Sequence, residues 1–297
     1  MKRLCVLGSG SKGNCTFIES GNTRILIDAG LSAKQIETRL ESIGVAPESI
    51  KGICITHDHV DHYQGARVFC ERWGTHLYAN RETRLGIVAS HDSFRGLNWK
   101  EFQTNETFRI GIIGIHSFRI SHDASDPVGF VLTLGNTRIG ICTDLGIVTE
   151  SVYEVLRPCE VIVLESNHDP RMLAASDRPE ANKIRIAGKK GHLCNLASAR
   201  FAVRLAKAGN LKRLYLAHLS EECNRETIAR QTVSSEFRKN GISGVEICMT
   251  HQGKKAAVWK SEKSGTKIPA KKRKNQKSRK KPKAGSGNSF FKWFFCS

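Results

Sequence analysis

Residues 55 to 65 read ITHDHVDHYQG, crowding His57, His59, His62, Asp58 and Asp61 into six positions directly after the apolar run Gly52-Ile53-Cys54-Ile55. Such a run reads as a buried strand, so the polar groups gather where a strand meets its loop. Charged groups and imidazoles resist burial unless they are paired or hold a cation. A solvated polar loop would explain the polarity but not the position, whereas a divalent metal explains both. Three imidazoles and a carboxylate so close in sequence also overfill a single ion. On a loop leaving a strand, His57 and His59 reach one side and Asp61 and His62 the other. That arrangement suits two ions held close together, as in two-metal hydrolases.

Two ions need further ligands, and three other apolar runs deliver one. His122 follows HSFRIS, Asp144 ends TRIGICTD and His218 ends RLYLAH. Each alone reads as a surface or capping residue; together they place ligand-type side chains at the ends of three more strands. Similar short runs (RLCVL, CTFIE, RILIDAG, HLYAN, GFVLTL, EVIVLES, VEICMT, AAVW) recur through the chain. Helical patterns lie between them. Ser32 and Gln35 form a candidate capping box, with Ile36, Leu40 and Ile43 on one face and Gly44 as the stop. Residues 195 to 208 and 224 to 239 read as two further helices, and Gly135-Asn136 as a hairpin turn. Many strands with interspersed helices predict a layered α/β or α+β domain. Residues 168 to 191 lack apolar periodicity and read as a long, functional loop. The stretch GSGSKGN at 8 to 14 is not a Walker A sequence. Its amides and hydroxyls, with Ser11 and Asn14 as candidates, could cradle a phosphate, and a tight turn explains its glycines equally well.

Charge divides the chain. The formal net charge is +19, of which residues 260 to 297 carry +12, from thirteen Lys/Arg and one acid. So dense a run of like charge cannot pack, which predicts a domain over 1–259 and a disordered basic tail over 260–297. The tail suits nucleic acid, and its aromatic end, Phe290 to Phe295, suits a partner protein or an anionic membrane surface as well. Ten cysteines are scattered without a C-x-x-C pair, several inside apolar runs. No secretory leader and no membrane-spanning run are legible. A reducing, cytoplasmic compartment is the expectation.

In its motif order the chain resembles the metallo-β-lactamase-fold hydrolases. Asp28 in RILIDAG, the HDHVDH run, His122, Asp144 and His218 carry the likeness. Within that superfamily it is most similar to the YycJ (WalJ) group of nucleases, through GSGSKGN, SHDASDPVGF, TDLG, ESNHD, GHLCN and AHLSEECN. The resemblance implies an αββα sandwich with the metal site at one edge of the paired sheets. It also implies that His57, His59 and His122 hold one divalent ion, and that Asp61, His62 and His218 hold the second. Asp144 bridges the two, and Asp28 orients the loop. Zinc and manganese both suit this donor set.

The position of ESNHD and GHLCN is similar to that of the paired loops of tRNase Z type nucleases, where a Glu and a His relay a proton. By that likeness His192 protonates the leaving group and Glu165 orients it, with His168 as the rival. The expected activity is a dinuclear phosphodiesterase, an exonuclease acting on DNA through a metal-bound hydroxide. A thioester or lactone hydrolase carries the same H-x-H-x-D-H motif and is the alternative. A non-catalytic nucleic-acid-binding protein is the third possibility, and the complete ligand set argues against it.

Overall fold

In the strand Lys2–Gly8, Leu4 and Val6 point to one face and Cys5 and Leu7 to the other, and all four are buried. Burial on both faces requires a layer on either side. The computed structural model describes residues 1–261, so the expected basic tail lies outside the described residues apart from Lys260 and Ser261. The strands are β1 (Lys2–Gly8), β2 (Cys15–Ser20), β3 (Thr23–Ile27), β4 (Gly52–Cys54), β5 (His76–Asn80), β6 (Trp99–Phe102) and β7 (Thr107–Ile110). They continue with β8 (Ile113–Arg119), β9 (Val128–Leu134), β10 (Thr137–Cys142), β11 (Val161–Glu165), β12 (Arg213–Ala217), β13 (Glu246–Met249) and β14 (Trp259–Lys260). They form two seven-stranded sheets, ordered β14-β1-β2-β3-β4-β5-β6 and β13-β12-β11-β10-β9-β8-β7.

Helices cover the outer faces. They are α1 (Ala33–Glu41), α2 (Val60–Tyr63), α3 (Ala66–Trp73), α4 (Arg81–Ser90), α5 (Glu150–Leu156), α6 (Pro170–Ala175), α7 (Glu180–Ala187), α8 (Asn195–Lys207) and α9 (Glu226–Lys239). The middle core joins Leu4, Val6, Ile18 and Ile25 of the first sheet to Phe130, Leu132, Ile139 and Val163 of the second. A second core packs Cys5, Leu7 and Phe17 against Ile36, Phe69 and Ile87 of α1, α3 and α4. The third packs Ile162, Leu164 and Leu216 against residues of α5, α8 and α9. This is the αββα sandwich. None of its described helices is long and apolar enough to cross a membrane.

Strand direction brings the site together. β3, β4 and β5 run parallel, as do β10, β11, β12 and β13. β8 and β10 are each antiparallel to β9 and therefore run the same way. The carboxyl ends of β3, β4, β8, β10, β11 and β12 are thus where Asp28, His57, His122, Asp144, Glu165 and His218 emerge. The sheets are tied together at this edge. Val128 N–H donates to Thr56 O at 3.0 Å, and His218 N–H donates to Ser9 Oγ at 2.8 Å.

The capping box forms as expected, with Ser32 Oγ accepting from Gln35 N–H and Gln35 reaching back to Ser32. The hairpin at Gly135 also forms, with Gly135 in the left-handed region. Three expectations need correction. Residues 168 to 191 are not one long loop but contain α6 and α7. α7 buries no side chain, so it carries no apolar stripe for sequence periodicity to detect. AAVW contributes only Trp259 to a strand, because Ala256 reaches β1 through one hydrogen bond to Val6 O before the two-residue β14 begins. The last helix starts at Glu226, two residues after Asn224, whose side chain is engaged with the carbonyls of Ser166 and Asn167.

Candidate metal centre

Four non-glycine residues among those described adopt left-handed φ, and three of them are Asp28 (60°), Asp144 (58°) and His218 (54°). Each follows closely on a strand. A side chain in that region costs of order 1–3 kcal/mol and persists only where its surroundings over-determine it. Here the backbone turns sharply so that each side chain is delivered inward from the strand end.

Most of the imidazoles are oriented by one nitrogen, leaving the other for a common space. His62 Nδ1–H donates to Asp28 Oδ2 at 2.8 Å. Thr56 Oγ1 also lies 3.0 Å from both Asp28 oxygens, and 3.0 Å from His57 Nδ1. With the hydroxyl proton on Asp28, His57 Nδ1–H donates to Thr56. His122 Nδ1–H donates to Gly191 O at 3.1 Å, and His218 Nδ1–H to Glu165 Oε1 at 2.9 Å. In His57 and His218 Nε2 is left without a hydrogen-bond partner, whereas His62 Nε2 lies 3.1 Å from Asn14 Nδ2. His59 differs, with its Nδ1 3.3 Å from His122 Nε2.

These nitrogens and two carboxylates converge. His57, His59 and His122 form one set close enough to share an ion, Asp61, His62 and His218 a second, and His57, His62 and Asp144 a third that spans them. Asp144 lies 3.2 Å from His62 Nε2, 3.2 Å from His218 Nδ1 and 3.9 Å from His122 Nε2. His57 Nε2, Asp144 Oδ2 and His218 Nε2 are buried without a hydrogen-bond partner. Three polar atoms left open at the centre of a converging cluster are what a cation would satisfy, so the residues fit a divalent metal.

Electrostatics agree. Burial opposes charge on Asp144, but His218 and His62 hold its carboxyl well below the usual range. Burial likewise disfavours a charged His62, yet Asp28, Asp144 and Asp61 reverse this and leave it well above an ordinary imidazole. Burial acts the same way at His57 and His122 but is not overcome there, so their pKa values are lowered and the neutral rings keep a lone pair for a ligand bond. The acidic half therefore draws cations, whether protons or metal ions.

Glu165 is the second organising carboxylate. Fully buried at the end of β11, its Oε1 accepts from His218 and from His192 Nδ1 at 2.8 Å, and its Oε2 accepts from the amides of Leu145 and Leu193. Burial would raise its pKa, but His192 and His218 bring it to about 2. Burial lowers the pKa of His192, and Glu165 more than compensates, raising it. His192 lines a cleft of about 200 Å³ together with His59, Asp61, Asp144, His218 and Ser11.

The remaining candidates separate. Asn14 is buried, and its Nδ2 contacts Asp61 Oδ2 at 3.2 Å and His62 Nε2 at 3.1 Å, so it sits behind the cluster. Its glycine-rich loop packs on the histidine loop through Asn14 N–H to Asp61 O at 2.8 Å. A Cβ on Gly30 would lie 1.6 Å from that same carbonyl, which is why only glycine fits there. His168 is buried beside Asn167 and is not among the lining residues of the cleft. Several contributors carry no clear signal in the sequence. Thr56 and Asp58 stand inside the motif itself, and Asp58 pins the His122 loop by accepting from Ser125 Oγ at 2.6 Å. Arg178, Arg185 and Asn167 also line the cleft. The two arginines lie in the stretch 168 to 191, whose reading as a long functional loop singles out neither of them.

A family profile described as Beta-lactamase superfamily domain matches residues 23–219. The chain is 31% identical over 252 residues to exodeoxyribonuclease YycJ of Bacillus anthracis, spanning 83% of this chain and 93% of that one. It is 33% identical over 254 residues to exodeoxyribonuclease WalJ of Streptococcus pneumoniae, spanning 82% and 92%. Among solved structures, the metallo-β-lactamase fold protein YhfI of Bacillus subtilis superimposes with a TM-score of 0.62 at 16% identity. That match spans 88% of this chain and 100% of the other.

Asp144→Ala removes the carboxylate common to both halves of the cluster. The purified variant should lose bound divalent metal, and with it turnover. Metal analysis showing an unchanged metal content with normal activity would take Asp144 out of the centre.

Proposed function

The chain is a metal-dependent hydrolase of the β-lactamase superfamily, within its YycJ/WalJ group, and we propose that it is a dinuclear phosphodiesterase acting as an exonuclease on DNA. His57, His59 and His122 would hold one ion, Asp61, His62 and His218 the other, and Asp144 would serve both. Zinc and manganese each suit this set of imidazole and carboxylate donors. Divalent ions there would supply Lewis acidity and lower the pKa of water.

The observation that carries the phosphodiester reading is the His192–Glu165 pair on the same cleft as the cluster. A phosphodiester leaves as an alkoxide and needs a proton, whereas a thiolate leaves readily without one. Glu165 fixes His192 Nδ1 and favours the charged imidazole, so Nε2–H is available to the leaving oxygen. Because Glu165 also accepts from His218, the proton donor is indexed to the cluster through one rigid carboxylate. Arg178 and Arg185 on the cleft suit an anionic substrate, and the names of the YycJ and WalJ relatives supply DNA.

A substrate panel tests this. The full chain loaded with manganese or zinc is incubated with end-labelled single- and double-stranded DNA and RNA, and with a thioester and a lactone. Stepwise release of nucleotides from DNA is expected. Turnover of the thioester or lactone without any phosphodiester cleavage would replace the proposal.

His192→Ala should retain metal yet slow cleavage of an ordinary phosphodiester by roughly a hundred- to ten-thousand-fold. A nitrophenyl ester hardly needs a proton on leaving and should lose far less. Equal losses on both substrates would return His192 to a structural role.

The tail can be removed after Ser261, because Lys260 still pairs with Arg3 in β14. The deleted segment carries a net +11. Its removal should leave hydrolysis of a small diester unchanged. The plot of log affinity for duplex DNA against log salt should become shallower, by about 0.9 for each phosphate that the tail no longer neutralises. Deleting only residues 289–297 should leave that slope alone. An unaltered slope on full removal would exclude the tail as a nucleic-acid arm.

A further inference from the structure

Arg178, just before α7, and Arg185, in its last turn, are the only Lys or Arg side chains among the described lining residues of the cleft. Each is tied to a carboxylate on a different loop. Arg178 Nη2 pairs with Glu222 Oε2 at 2.7 Å, and Arg185 Nε with Asp123 Oδ2 at 2.5 Å. Asp123 adjoins His122, and Glu222 lies in the loop that follows His218. The two ion pairs therefore set the guanidinium groups against the loops that bear the cluster. A guanidinium offers five donors in a planar fork, so one carboxylate contact does not exhaust it. α7 buries no side chain. It does not fill a core; its contribution at this cleft is Arg185 and Ile186.

Asp61 and Asp144 line the same cleft, with Glu165 paired to the lining residue His218. A strand entering beside those carboxylates brings more than one phosphate. Ions at the cluster can compensate the reacting phosphate, but its neighbour needs separate positive charge. Resting on the phosphodiesterase proposal, we infer that Arg178 and Arg185 bind a phosphate adjacent to the scissile one. They are specificity-determining residues that make the chain prefer a polynucleotide strand over an isolated diester. The carboxylates of Glu222 and Asp123 hold the guanidinium groups at the cleft, and the phosphate is bound by the donors those pairs leave over.

The test uses the full, manganese-loaded chain on two substrates: a short oligothymidylate, and bis(4-nitrophenyl) phosphate, which has one phosphate only. The double variant R178Q/R185Q should raise KM for the oligothymidylate by about ten- to a hundredfold, as expected when charge-assisted hydrogen bonds are removed. Its kcat, and both constants on the single diester, should stay within a few-fold of the parent. The variant E222Q removes the Arg178 ion pair but keeps both guanidinium groups, and should hold the oligothymidylate KM within a few-fold. R185Q alone alters an exposed side chain and supplies the same comparison should the double variant fold poorly. Equal losses on both substrates, or an E222Q defect matching that of the arginine variant, would reduce the arginines to pins for the loops and overturn the inference. A parent chain that hydrolyses neither substrate would overturn the phosphodiesterase proposal itself. A parent that hydrolyses both, with arginine variants unchanged on the oligonucleotide, would overturn only the inference.

Discussion

A carboxylate with 1% of its surface exposed, as Asp144 has, must be surrounded by positive charge or donors, or it will not stay ionised. Its surroundings come from four places in the chain: His62 after β4, His122 after β8, His192 before α8 and His218 after β12. None of these segments is a neighbour of another in sequence. Their meeting requires both sheets, their parallel strands and the stacking of the two inner faces. Burial of one acid thus imposes conditions on the whole sandwich, and the middle core of Leu, Ile, Val and Phe is what meets them.

Glu165 imposes a second set of conditions on the side of the cluster that lines the cleft. Its two oxygens hold two imidazoles and two loop amides, so the loops around Leu145 and Leu193 are fixed by the same group that orients His192 and His218. Such sharing has a physical advantage over separate partners. Two rings bonded to one oxygen cannot drift apart independently, so the spacing between His192 and His218 is held.

The cluster is legible in the sequence because ligands are expensive to bury and therefore crowd where strands end. H-x-H-x-D-H is dense, and His122, Asp144 and His218 each stand at the end of an apolar run. The sandwich is legible as layering because residues on both faces of the strands are apolar, as in β1 and β11. The α6–α7 excursion is not, since α7 buries nothing and therefore lacks periodicity. For the same reason Arg178 and Arg185 carry no signal: surface arginines and cleft arginines look alike until the chain is folded. Asn14 can be picked out but not placed, because a phosphate cradle and a buried brace both call for glycines and an amide. The packing of Gly30 and Asn14 against Asp61 O shows where the loop sits, through the backbone rather than through any side-chain pattern.

The division of the cluster between the sheets has one more consequence. His57, His59, Asp61 and His62 belong to the half of the chain that builds the first sheet, and His122, Asp144 and His218 to the half that builds the second. Neither half owns the three-residue set His57–His59–His122, nor the set Asp61–His62–His218. A cation held by either set is therefore a clasp between halves, and its binding free energy adds to the docking of one sheet on the other. Persistence of the folded chain then rises with the free-ion concentration around it. Metal supply becomes a setting on the protein's lifetime as well as on its chemistry.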